Sequence, residues 1–140
     1  MTVTLHSTIE PYRLLIADDD QAARETMRDV FEPQGFQTIF ASDGEEAVEL
    51  VRHQGDIHIA LFDVHMPKLS GLEALLLIRQ IRAGLPAILM TSDRDDQIMR
   101  QALSAEVFCV VAKPVKKNVL IYVVSRALSK YYAGPHESAS

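Results

Sequence analysis

Residues 59–67 read Ile-Ala-Leu-Phe-Asp-Val-His-Met-Pro, and no other stretch constrains the fold as strongly. An apolar run without polar alternation suits a strand covered on both faces, which belongs in a parallel sheet. Asp63 then stands at the carboxyl edge of that sheet, where open α/β sheets bind their ligands.

The rest of the chain alternates short apolar runs with longer amphipathic ones. Residues 14–17 form a first strand that runs directly into Asp18, Asp19 and Asp20. In the helix that follows, Ala23, Met27, Val30 and Phe31 share a face, and Pro33 and Gly35 close it. A weaker strand at 38–40 leads to Asp43 and Glu46, at capping-box spacing, and to a helix burying Ala47, Leu50 and Val51. The central strand spans 57–62. Ser70 and Glu73 repeat the capping-box spacing before a Leu-rich helix over 72–81, which Gly84 and Pro86 end.

A strand at 87–90 delivers Thr91, Ser92 and Asp93, and a helix over 96–103 follows. Its narrow apolar face of Ile98, Met99 and Ala102 makes it the most loosely held. The last strand, 108–112, delivers Lys113 and Pro114. Residues 118–129 carry Leu120, Val123, Val124, Ala127 and Leu128 at helical spacing, although their β-branched members also suit a strand. The alternation decides for helix. Residues 1–12 read as a polar lead, 13–130 as one domain and 131–140 as a flexible tail. Five strand–helix units with crossover-length connections predict an α/β fold, a parallel sheet with helices on both faces.

Composition narrows the function classes. A chain of 140 residues, 48% of them hydrophobic, has material for one core. A net charge of -5 gives no surface for holding nucleic acid by its phosphates, so direct nucleic-acid binding is not expected. No apolar run approaches the roughly 20 residues of a membrane helix, so no membrane role is expected. The lone Cys109, inside an apolar stretch, reads as a packed thiol in a reducing compartment, and the expected location is the cytoplasm.

The residues that end the strands carry the chemistry. Asp18 and Asp19 follow the first, Asp63 the third, Thr91 the fourth and Lys113 the fifth. A parallel sheet gathers all of them at one edge. At an effective dielectric near 20, two like charges about 4 Å apart repel by roughly 4 kcal/mol, so three carboxylates there call for a cation. An all-oxygen set without Cys suits Mg2+ or Mn2+. A carboxylate beside a metal, a hydroxyl and an ammonium suits phosphoryl transfer onto that carboxylate: Asp63 attacks phosphorus while the metal and Lys113 neutralise the oxygens.

Blander roles compete at each position. Asp20 reads as a helix cap, but two further acids beyond a cap are redundant, which favours the metal role for Asp18 and Asp19. Thr91 taken alone would be a cap, and Lys113 a solvated lysine; their places at the ends of buried strands favour the functional roles. A dehalogenase-type phosphatase would need a second acid where His65 stands. A flavin binder would need Ser, Thr and Gly where Asp18-Asp19-Asp20 stand, and no Gly-Lys phosphate loop is present.

Four segments, Leu14-Leu-Ile-Ala-Asp-Asp19, Leu61-Phe-Asp-Val-His-Met-Pro67 with Gly71, Met90-Thr-Ser92 and Ala112-Lys-Pro114, resemble the response-regulator receiver domains of two-component signalling. The resemblance spans about Arg13 to Lys130. It implies a flavodoxin-like receiver fold with strand order 2-1-3-4-5 and five helices. It implies Asp63 as phosphoacceptor, Asp18 and Asp19 with Asp63 and the His65 backbone carbonyl around Mg2+, Thr91 as the switch hydroxyl and Lys113 as the lysine bonded to the acceptor. The resemblance further implies that His65 and Asp93 occupy positions that tune how long the phosphoryl group persists. The implied partners are a sensor histidine kinase or histidine phosphotransfer protein, and a downstream target at the surface of the fourth helix, fifth strand and last helix. The implied role is that of a signalling phosphoacceptor rather than an enzyme. The rival is a receiver-shaped interaction module never phosphorylated in the cell.

Three features depart from the family pattern. Val110 stands where the family usually has a Tyr or Phe, with Phe108 two residues earlier on the same strand face read as core. Glu106 replaces the usual Gly before the last strand, and the last helix is unusually β-branched.

Overall fold

A computed structural model of the chain describes residues 11–93 and 95–132. Within them β1 (Arg13–Ala17), β2 (Gln37–Ala41), β3 (Ile59–Asp63), β4 (Ala87–Thr91) and β5 (Cys109–Ala112) pair in parallel, in the order β2-β1-β3-β4-β5. The helices are α1 (Gln21–Phe31), α2 (Gly44–His53), α3 (Gly71–Ile81), α4 (Asp96–Ser104) and α5 (Lys117–Tyr132). The β-branched last helix is thus a helix. It runs two residues into the stretch read as tail; residues 1–10 of the lead and 133–140 of the tail lie outside the described residues.

The apolar runs of β1, β3 and β4 serve two cores by alternation. Leu15, Ala17, Ala60, Phe62, Ala87 and Leu89 face α2, α3 and α4. Leu14, Ile16, Ile59, Leu61, Ile88 and Met90 face α1 and α5. β1, β3 and β4 are central and almost wholly buried, whereas β2 and β5 are edge strands and only partly so. That is why 38–40 gave a weak signal.

Local chemistry sets the element ends. Ser70 and Glu73 form a true capping box. At α2 the expectation is only half met: Asp43 caps the Glu46 N–H at 2.8 Å, but the Glu46 carboxylate turns to the N–H and hydroxyl of Ser42. Leu50 is half-buried, and Val48 joins Ala47 and Val51 in the core instead. α4 buries only Ile98 and Ala102 and leaves Leu103 80% exposed, so little apolar area holds it. Glu106 adopts φ 58, the left-handed conformation a glycine would favour, so the turn survives the change of residue type. The Lys113–Pro114 peptide is cis.

Arg79 ties two loops to α3. Its guanidinium donates to the carbonyls of Ala105 (2.8 Å), Leu85 (2.6 Å) and Glu106 (3.1 Å). Burial pulls its pKa down, yet a guanidinium stays charged throughout the ordinary pH range. Arg79→Ala is expected to destabilise the fold by about 2–3 kcal/mol, because carbonyls of the buried Leu85 and Ala105 lose a charged donor. A lower urea midpoint with an unchanged slope checks this.

Candidate functional site

The parallel register delivers the strand-end residues to one place. Ala17 pairs with Phe62, Asp63 with Met90 and Thr91 with Ala112, so the residues that follow leave the sheet side by side. The ladder continues past the edge, with the Val64 N–H on the Met90 carbonyl (3.0 Å) and the Lys113 N–H on the Thr91 carbonyl (2.9 Å).

Carboxylate oxygens of Asp18, Asp19 and Asp63 lie within 4.8 Å of one another. Asp18 and Asp63 are buried and Asp19 is exposed. The Lys113 ammonium donates to Asp63 Oδ2 at 3.0 Å and stands 3.6 Å from Asp18 Oδ2. Burial pulls its pKa down, but the hydrogen bond and charge of Asp63, with Asp18 behind it, outweigh that and leave it above the usual value. Asp63 Oδ1 accepts the His65 N–H at 3.2 Å. His65 therefore meets the site through its backbone, while its side chain is exposed.

Thr91 is fully buried, and its hydroxyl donates to the Asp93 carbonyl (2.9 Å) and accepts the Asp93 N–H (3.0 Å). In this conformation the hydroxyl serves the β4–α4 loop. The Asp93 side chain is exposed. Val110 packs in the core beneath α2, α3 and α4, whereas Phe108 packs in the opposite one, with the Lys130 ammonium 5.8 Å from its ring centre. Phe108 thus does not share Val110's face and does not stand in for a ring there, because its residue precedes the strand and escapes the alternation.

The donor set fits a divalent cation. Three carboxylates within one ion's reach form an all-oxygen group, and Asp18 Oδ2 is buried with no hydrogen-bond partner. Burial, the largest influence, raises the Asp18 pKa above 3.8; the Asp20 N–H and Lys113 pull it down, and Asp63 and Asp19 push it up. A native pKa above the unfolded value means that the folded chain binds the proton more tightly. Stability then falls as pH rises from the unfolded value through the raised one, and ionised Asp18 weakens the ion-free fold at neutral pH. Asp18→Asn is accordingly expected to stabilise the ion-free chain and to lose most of any melting-temperature gain that Mg2+ gives the native chain. Thermal melts with and without Mg2+ check both signs.

Two residues of this region have roles that sequence reasoning missed. In the sequence Gly71 is only the last member of a motif, yet a Cβ built on it would overlap the Asp63 carbonyl oxygen. Arg24, on the first turns of α1, donates through Nη1 to the Asp18 carbonyl at 2.7 Å.

Residues 14–125 match the response regulator receiver domain family. Regulatory protein AtoC of Escherichia coli (strain K12) is 36% identical over 118 residues, which cover 83% of this chain and 25% of AtoC. The chain spans 25%, 30% and 18% of the lengths of three curated relatives it matches. Among solved structures, a CheY-like receiver domain protein from Methanospirillum hungatei superposes with a TM-score of 0.83 at 25% identity, covering 86% of this chain and 96% of that one. A CheX–CheY–BeF3–Mg2+ complex from Borrelia burgdorferi gives 0.81 at 26% identity, covering 88% of this chain and 93% of the matched one.

Proposed function

Because the chain belongs to the response regulator receiver domain family of two-component systems, we propose that Asp63 accepts a phosphoryl group in a Mg2+-dependent reaction and thereby switches partner binding. The observation that supports this most directly is the convergence of Asp18, Asp19 and Asp63, with Lys113 Nζ 3.0 Å from the proposed acceptor.

A carboxylate oxygen of Asp63 forms a bond to phosphorus as the bond from phosphorus to the donor breaks, and the donor leaves with the electron pair. For a phosphohistidine donor, on a sensor kinase or phosphotransfer protein, the leaving group is its imidazole. Lys113 stays protonated and neutralises charge beside the acceptor. Asp18, Asp19, Asp63 and the His65 carbonyl would hold Mg2+ or Mn2+, which supplies positive charge against the phosphoryl oxygens when bound. Thr91 would exchange its bonds with Asp93 for a phosphoryl oxygen. That exchange favours one arrangement of the β4–α4 loop and of thinly anchored α4, and alters the α4–β5–α5 surface offered to a protein target. His65 and Asp93, at the rim, tune how long the phosphoryl group lasts. The working unit spans the expected 13–130 and the two further residues of α5, and is a phosphoacceptor rather than an enzyme acting on a separate substrate.

No helix among the described residues is long and apolar enough to cross a membrane. The Cys109 thiol is half-buried and burial pushes its pKa up, which makes it a weak nucleophile; the cytoplasmic setting is proposed from the family alone.

Intact-mass measurement after incubation with a small phosphodonor tests the reading. A gain of one phosphate that requires Mg2+ and is removed by hydroxylamine, as an acyl phosphate must be, is expected. No gain at saturating donor and Mg2+ would return the chain to the rival reading of an unphosphorylated interaction module.

A further inference from the structure

We propose that Arg24 is a positioning residue for the acidic loop, holding Asp18 and Asp19 in the attitude a divalent cation needs; this rests on the cation site proposed above. Asp18 is only 1% exposed, and three of its four polar atoms are committed. Its N–H donates to the Ala41 carbonyl at 3.0 Å, its Oδ1 accepts the Asp20 N–H at 3.0 Å, and its carbonyl accepts Arg24 Nη1 at 2.7 Å. Oδ2 alone is left without a hydrogen bond, beside the other two carboxylates.

Two of the three restraints come from backbone groups. The third is the Arg24 side chain, reaching back six residues. The Arg24 N–H on the Asp20 carbonyl at 3.1 Å is the first bond of α1 and is kept by any residue at this position, so only the guanidinium is specific to Arg24. The carbonyl that Arg24 grips belongs to the peptide joining Asp18 to Asp19, so its orientation sets the direction in which the Asp19 side chain leaves. One guanidinium thereby aligns both acids. A planar, always-charged fork suits the task, being shorter of freedom per bond than an ammonium and forming a charge-assisted bond.

Position and charge predict opposite signs, which makes the inference testable. As a bare charge near the acids, Arg24 opposes a second cation, so its removal would tighten Mg2+ binding. As a positioning residue it favours the cation, so its removal weakens binding. Isothermal titration with Mg2+ alone, on the full chain, is compared for the native protein, Arg24→Met, which keeps the apolar stem, and Arg24→Lys, which keeps a donor of similar reach. Thermal melts without Mg2+ run alongside. Arg24→Met is expected to bind Mg2+ about tenfold more weakly, as for loss of other groups that orient metal ligands, and Arg24→Lys within about threefold of native.

Unchanged or tighter binding by Arg24→Met, even with a lowered melting temperature, would reduce Arg24 to a structural or purely electrostatic role and overturn the inference. Should Arg24→Met fail to fold, Arg24→Gln, whose amide is too short to reach the Asp18 carbonyl, takes its place with the same expectations. A native chain that binds no Mg2+ at millimolar concentration would defeat the cation site itself, and Arg24's role with it. A native chain that binds Mg2+ beside an unaffected variant defeats only the latter.

Discussion

Asp63→Asn is expected to take up no phosphate from a small donor under conditions that load the native chain fully, a loss beyond about a thousandfold, or some 4 kcal/mol of barrier. The amide removes the nucleophile while leaving most contacts in place. Asparagine's oxygen still accepts the His65 N–H now held at 3.2 Å, and Lys113 keeps Asp18 Oδ2 at 3.6 Å. The substitution gives up the hydrogen bond from Lys113 Nζ at 3.0 Å, but it also removes one of three clustered negative charges, and the relief offsets the loss. Its melting temperature is expected to stay within a few degrees of native, which makes loss of uptake a statement about chemistry rather than about folding. Parallel mass time courses decide it: equal gain by the variant and the native chain would reject Asp63 as acceptor.

Gly71→Ala is expected to lower stability by about 3 kcal/mol and to displace the Asp63 carboxylate at the same time. The reason is space. Gly71 begins α3 with its N–H on the Val64 carbonyl at 2.8 Å, so the helix start is pressed against the strand end that carries Asp63. An added methyl group would overlap the Asp63 carbonyl oxygen, and backbone on both sides leaves nothing flexible to yield. Gly35 provides the control: its φ of 98 needs glycine, but a Cβ there would meet nothing within 4 Å. Gly35→Ala is therefore limited to the conformational penalty of about 1 kcal/mol, with Mg2+ affinity unchanged. Denaturant melts and Mg2+ titrations on both variants separate the two cases. A Gly71→Ala chain with native stability and native affinity would show that the close approach is not a constraint.

The site was legible to an unusual degree because its residues end strands. An apolar run that stops at a charge or hydroxyl announces both the strand and the edge, and Asp18, Asp63, Thr91 and Lys113 all follow that grammar. The arginines were not legible. On an amphipathic helix an isolated arginine has the pattern of a solvated face, and nothing in the spacing shows that Arg24 reaches a carbonyl six residues back or that Arg79 reaches carbonyls up to 27 residues ahead. The pairing of Glu46 with Ser42 rather than Asp43 escaped for a similar reason: spacing identifies eligible partners, while loop conformation chooses among them.

By itself, the sequence determined the strand–helix alternation, the two-faced burial of the central strands and the set of side chains delivered to one edge, because hydrophobic periodicity and chain termination act locally. Only the tertiary structure decided that Phe108 and Val110 enter opposite cores, that Thr91 spends its hydroxyl on Asp93, and that α3 starts hard against Asp63. Those outcomes depend on loop conformation and on packing distances in space, even between near neighbours such as Thr91 and Asp93, and a one-dimensional pattern carries neither.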